Sequence, residues 1–105
     1  MPDLVYEAFD GLQVILEERR YQDHISARHP DIKMDEIREA LVSPTRICDH
    51  RTRHMRRIYE GPARVDSFGM QEFVIVVVGL TSRGRGRVIT AYRETLRYQG
   101  AQRWP

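Results

Sequence analysis

The sequence predicts an α+β domain: an antiparallel sheet of four to six strands, with two short helices from the N-terminal half packed on one face. Three observations predict it. Residues 4 to 17 alternate about Asp10-Gly11, residues 20 to 43 carry apolar side chains at helical spacing in two pieces, and after Pro44 the apolar pattern is that of strands. Hairpin, helix pair and meander in that order segregate the helices to one side of a sheet. With 105 residues the chain supplies one core, so residues 1–105 are read as a single domain without repeat or linker.

Each element has a local cause. Leu12, Val14 and Leu16 share one face of a strand whose partner lies before Asp10-Gly11, a strong hairpin signal. Tyr21, His24, Ile25 and Arg28 form one helical stripe, which Pro30 ends near His29 because the residue before proline leaves the helical region. A second helix, capped by Asp31 or Asp35, carries Ile37, Ala40 and Leu41 and stops at Ser43-Pro44. Strands follow over Thr45 to Asp49 and Met55 to Glu60, then a polar loop to Gly69. Phe73 to Leu80 is a β-branched apolar run, read as a central strand covered on both faces. Thr81 to Gly86 reads as a hairpin loop, and Arg87 to Arg93 as the last strand. That strand carries Val88, Thr90 and Tyr92 on one face and Ile89 and Ala91 on the other. The tail to Trp104-Pro105 shows no pattern.

Composition excludes several classes. Forty-one per cent apolar residues are too many for a disordered tail, and no apolar run reaches the roughly 18 residues that cross a bilayer. A lone Cys48 builds no disulfide framework, and Met-Pro-Asp-Leu-Val-Tyr-Glu lacks the regions of a secretory signal, which points to the cytoplasm and to no membrane. Charge is divided unevenly. Residues 1–45 hold 5 basic and 10 acidic side chains, residues 46–105 hold 12 and 5, and 16 of the 17 basic residues are Arg. A cationic half rich in Arg suits a polyanion such as RNA, although pairing with the acidic half is an equally simple use of those charges.

Four groups of residues bear chemistry. His24 and His29 flank the end of the first helix and have the side chain suited to acid–base work near neutrality. They stand about 140° apart on a regular helix and converge only if Pro30 unwinds the last turn. Otherwise His24 is a hydrogen-bonded member of its stripe and His29 a cap on helix carbonyls. Arg51, Arg53, Arg56 and Arg57 crowd a connection entering a strand, and Arg83, Arg85 and Arg87 alternate with glycines at a hairpin tip. Both runs fit phosphates, or are solvated turns. Thr90 and Tyr92 are neighbours on one strand face whose hydroxyls can reach a base or a phosphate, or simply satisfy strand preference. Cys48, His50 and His54 are metal-ligand types, yet their cationic surroundings and the lack of a fourth ligand argue against a metal. The glycines match no phosphate-loop or dinucleotide fingerprint, so no cofactor is expected.

Arg20-Tyr21-Gln22-Asp23-His24-Ile25-Ser26-Ala27-Arg28-His29-Pro30-Asp31-Ile32, followed by Ile37, Ala40-Leu41 and Ser43-Pro44-Thr45-Arg46-Ile47, resembles a bacterial and phage pattern. An apolar strand and a closing Ile89-Thr90-Ala91-Tyr92 complete it, so the resemblance covers residues 20–93. The family is the barnase/EndoU/colicin/RelE-like group of small phage and polymorphic-toxin nucleases. The resemblance implies a metal-independent endoribonuclease with an antiparallel sheet and N-terminal helices. By the same resemblance His24 and His29 match the helix histidines, Arg46 and the basic strand after it the phosphate positions, and Thr90 with Tyr92 the polar pair of the last strand. An antitoxin or immunity protein is the implied partner beside RNA. Thr45 stands where the family has Asp, and residues 50 to 57 are richer in Arg than its pattern.

The expectation is RNA cleavage by 2′-hydroxyl attack on phosphate. His24 is the preferred base or acid, His29 its partner and Arg53 or Arg56 the phosphate ligand. The alternative is a non-catalytic nucleic-acid- or partner-binding module in which the histidines are structural.

Overall fold

The computed structural model describes residues 3–105. Met1 and Pro2, which open the segment read for a secretory signal, lie outside the described residues. Strands β1 (Leu4–Glu7) and β2 (Gln13–Leu16) pair antiparallel, with Leu4 opposite Leu16. They are joined by a loop that Ala8 and Gly11 close through bonds to Leu12 O (2.8 Å) and Ala8 O (2.9 Å), respectively. Gly11 takes φ +88°, a conformation that side chains resist, which is why Asp10-Gly11 turns the chain here.

Helix α1 covers residues 18–28 and is not uniform. Its middle, Tyr21–Ile25, is a π turn, in which the Ser26 N–H reaches back to Tyr21 O. The turn shifts the expected stripe: Ile25 is fully buried, His24 half-buried and Arg28 exposed. Helix α2, Met34–Val42, buries Ile37, Ala40 and Leu41 as expected. Its cap differs from both candidates. Lys33 occupies the cap position, its N–H held by Glu36 Oε1 at 3.1 Å, and Asp31 is taken instead by Arg93.

After Pro44 come β3 (Arg46–Asp49), β4 (Arg56–Glu60), β5 (Arg64–Val65), β6 (Gln71–Ser82), β7 (Arg85–Glu94) and β8 (Gln102–Trp104). The strand order is β1-β2-β7-β6-β4-β3-β8, with β5 added at the start of β6. The sheet is therefore larger than the four to six strands expected, and it is not wholly antiparallel. Gln13–Ile15 pair in parallel with Arg85–Arg87, an association between segments 70 residues apart that no local signal announces. The unpatterned tail is the eighth strand, held by β3. The loop expected over Thr81–Gly86 shrinks to Arg83-Gly84, because Gly84 at φ +75° permits a two-residue turn between long strands. Gly86 is structural: a Cβ there would meet Gly79 O at 2.9 Å.

β6 is buried on both sides, as its composition predicts. On the helix face Val74, Val76 and Val78 join Leu16, Ile25, Ile37, Leu41 and Tyr59 in the main core. On the other face Phe73, Ile75 and Val77 pack with Cys48, Ile58 and Tyr98. A bulge breaks the alternation expected of the last strand. Val77 faces Thr90 while Val78 faces Val88, so Ile89 is an extra residue. Val88 consequently joins the helix-side core with Ala91, and Ile89 lies with Thr90 and Tyr92 on the opposite face. Among the described residues no helix is long and apolar enough to cross a membrane.

Candidate functional site

His29 and Tyr92 come together. From Val88 onward the outer edge of β7 has no strand partner among the described residues, and α1 packs beside it. At the end of α1, His29 leaves helical geometry (φ −132°, ψ 69°) and its ring centroid lies 6.2 Å from that of Tyr92. The turn that carries it is fixed on three sides. The His29 N–H bonds Ile25 O at 2.7 Å, the Tyr21 hydroxyl donates to Ile32 O at 2.7 Å, and Arg93 holds the Asp31 carboxylate at 2.6 Å and its carbonyl at 2.9 Å. Arg93 also reaches Glu36 on α2 at 2.7 Å. Both helices are thus tied to β7 beside the His29–Tyr92 contact.

Thr90 stands on the same sheet face as Tyr92, their partners Val77 and Ile75 both belonging to the second cluster. Arg51 approaches from the far side. Its guanidinium lies over the Tyr98 ring at 5.8 Å, its backbone N–H donates to the Tyr98 hydroxyl at 3.0 Å, and it shares a groove of about 150 Å³ with Tyr92 and Tyr98. Burial, then the neighbouring Tyr98 and Glu94, push the Tyr92 phenol above its ordinary value, with Arg51 opposing. Tyr92 is therefore a protonated donor at neutral pH. Neither the His29 imidazole nor the Thr90 and Tyr92 hydroxyls have a hydrogen-bond partner among the described residues, although all three are half-buried. His24 lies in the π turn of α1 and lines a different groove, with Glu17, Arg20 and Arg87. Burial, then Arg28, Arg20 and His29, lower its pKa.

The eight arginines expected to bind phosphate divide cleanly. Arg46 pairs with Glu60 (3.3 Å), Arg57 with Asp10 (2.8 Å) and Arg87 with Glu17 (3.4 Å). Arg51, Arg53, Arg56, Arg83 and Arg85 have no carboxylate partner among the described residues. These five collect at one end of the sheet. Leu80 N–H bonds Met55 O and Gln13 N–H bonds Gly84 O, both at 2.9 Å, which sets the 50–55 loop, the β6–β7 turn and the 8–12 loop side by side.

His50 organises that loop. Its Nδ1 accepts the backbone N–H of Arg53 at 2.9 Å and of Thr52 at 3.2 Å, so the ring is neutral with its proton on Nε2. Burial, then Arg56, Arg51 and Arg53, lower its pKa in agreement with that role. Cys48 is buried in the second core cluster, so it and His50 are committed elsewhere. Among the described residues no three His, Cys, Asp or Glu side chains gather as a metal-binding group. A base whose pKa is lowered in the fold contributes stability above its ordinary pKa of about 6.5 and loses it as pH falls from there through the folded value. The urea midpoint is therefore expected to drop between pH 7.5 and 5.5, and to drop less in His50→Ala. Equal drops in both proteins exclude His50 as a source.

Three features escaped the sequence reading. Tyr98 lies in the tail, with no periodicity to mark it. Asp10 looked like a turn residue, yet its carboxylate accepts the buried Tyr59 hydroxyl at 2.7 Å as well as Arg57. Phe9 and Trp104 come from opposite ends of the chain into ring contact, centroids 4.4 Å apart. Compared with protein-family models, with curated proteins and with solved structures, the chain matches none.

Proposed function

We propose that the protein is an endoribonuclease that cleaves by transesterification at the His29–Tyr92 contact. The observation that carries this reading is the set of unsatisfied groups there: an imidazole and two hydroxyls on one side, with the Arg51 guanidinium beside Tyr92. RNA brings its own nucleophile, so the protein must supply a base, an acid and a cation. His29 takes the proton of the 2′-hydroxyl as the 2′-oxygen bonds to phosphorus. Arg51 and the Thr90 hydroxyl face the charge that develops on the phosphate oxygens. The bond to the 5′-oxygen breaks, Tyr92 gives that oxygen its proton, and the His29 imidazolium returns a proton to the phenolate. A 2′,3′-cyclic phosphate and a 5′-hydroxyl result. No step uses a metal ion.

The test is incubation with total RNA and with tRNA in chelator, with the ends of the products analysed. Cyclic-phosphate ends are expected. Products ending in a 3′-hydroxyl, or activity lost in chelator, overturn the mechanism. RNA bound in a salt-dependent way but left intact favours the binding module, in which the five arginines without a carboxylate partner among the described residues would hold the phosphates.

Those arginines support a second expectation. Replacing Arg53 and Arg56 together by alanine should weaken RNA binding for every sequence alike. The slope of log affinity against log salt should become shallower by about 1.4, at roughly 0.7 for each lost contact to a single strand. Replacing the ion-paired Arg57 and Arg87 should change that slope less, and filter binding at four salt concentrations decides between the two.

A further inference from the structure

Three grooves are linked through shared lining residues. The first, about 590 Å³, lies on the side of Phe9 and Trp104 and includes Asp10, Asp49, Arg57 and Arg103. Asp49, Arg57 and Arg103 also line the second, which the 50–56 loop encloses. Arg51 belongs both to this second groove and to the third, beside Tyr92. The path is therefore continuous from Trp104 on β8 to Tyr92 on β7. It crosses four strand spacings, about 19 Å.

The chemistry changes along it. In the middle, Arg51, Arg53 and Arg56 carry charge that no carboxylate answers among the described residues. At the Trp104 end each cation is already neutralised, Arg57 by Asp10 (2.8 Å) and Arg103 by Asp49 (3.1 Å). What remains there is aromatic surface, Phe9 51% exposed and Trp104 half-buried, their rings inclined by 50°. A phosphate gains nothing from neutral ion pairs, and the two carboxylates repel it. A base with a free π face gains contact with both rings.

We infer that the substrate is single-stranded RNA that wraps the end of the sheet, with one unpaired base stacked on the Phe9–Trp104 pair. Its following phosphates lie on Arg53, Arg56 and Arg51, and the scissile phosphate lies at His29 and Tyr92. The inference rests on the ribonuclease reading and adds the class of RNA to it. A duplex keeps its bases stacked inside and offers none to the aromatic pair.

Trp104 is the single tryptophan, so its fluorescence reports this contact directly. The probe is a single-stranded RNA of about ten nucleotides, 2′-O-methylated throughout so that it cannot be cleaved, with a terminal dye to follow binding by anisotropy. Saturable quenching of Trp104 that weakens with salt is expected, and the same strand annealed to its complement should produce none. Phe9→Ala should raise Kd roughly 5- to 100-fold, since stacking accounts for about that much per base. Circular dichroism checks that this variant keeps its fold. Binding without quenching, equal quenching by the duplex, unchanged affinity in Phe9→Ala, or no binding overturns the inference. Unmodified RNA cleaved without any change at Trp104 removes the stacking site alone. Quenching by the single strand while unmodified RNA stays intact removes the ribonuclease reading and keeps the stacking site.

Discussion

Replacing Glu60 by alanine is expected to lower the unfolding free energy by about 3–5 kcal/mol, as removal of one partner from a buried ion pair does. Glu60 is fully buried at the end of β4. One carboxylate oxygen accepts from Arg97 at 2.8 Å and from the Thr45 hydroxyl at 3.4 Å. The other accepts from Arg46 at 3.3 Å and from the Tyr98 N–H at 3.1 Å. Arg46 also donates to the Tyr98 carbonyl. Alanine leaves the Tyr98 amide buried without its acceptor and removes the carboxylate that faces Arg46, whose Nε already has no partner among the described residues. A domain of this size has about 5–15 kcal/mol in all, so the loss is a large fraction of its stability.

The consequence reaches the candidate site. The carboxylate holds the backbone of Tyr98, whose ring and hydroxyl hold Arg51, so loosening Glu60 frees the cation assigned to the phosphate. Glu60→Gln keeps an acceptor and removes the charge, and should fall between wild type and alanine. Urea unfolding at neutral pH measures all three, with an unchanged m-value indicating that stability alone has moved. A midpoint for Glu60→Ala close to wild type would show that the Glu60 carboxylate is not needed to hold the Tyr98 segment.

What the sequence disclosed was set by distance along the chain. The Phe73–Leu80 strand, the Asp10-Gly11 turn and the helix end at His29-Pro30 depend on neighbours a few residues away, and each lies where composition predicts it. The parallel pairing of Gln13–Ile15 with Arg85–Arg87, the strand at Gln102–Trp104 and the burial of Glu60 by Arg97 depend on partners 37 to 72 residues apart or pairing that no short window contains. A single residue also reverses a pattern. The bulge at Ile89 moves Val88 to the helix face while Thr90 and Tyr92 stay together, so the polar pair was legible although the alternation around it was not. The arginines show the same limit: their number is in the sequence, but which of them are free is decided by carboxylates such as Asp10 and Glu17 that arrive from the other half of the chain.

Cleavage by His29→Ala is expected to fall about 10²- to 10⁴-fold, the usual contribution of a positioned general base. Its unfolding midpoint should stay close to that of wild type, because the imidazole has no hydrogen bond among the described residues and only a ring contact with Tyr92. His24→Ala should keep most of the activity. Its ring lines a groove with Glu17 and Arg87, whereas Tyr92 and Arg51 share a different one. Tyr92→Phe separates the proton donor from the ring: it keeps the contact with His29, loses the hydroxyl, and should lose about 10²–10³-fold if that group donates to a charge formed in the transition state. Initial rates on one RNA in chelator, beside the thermal midpoint of each variant, resolve the roles. Full activity in His29→Ala overturns the assignment. An equal loss in both histidine variants at unchanged stability would instead make the two rings a coupled pair, in keeping with the contribution of His29 to the lowered His24 pKa.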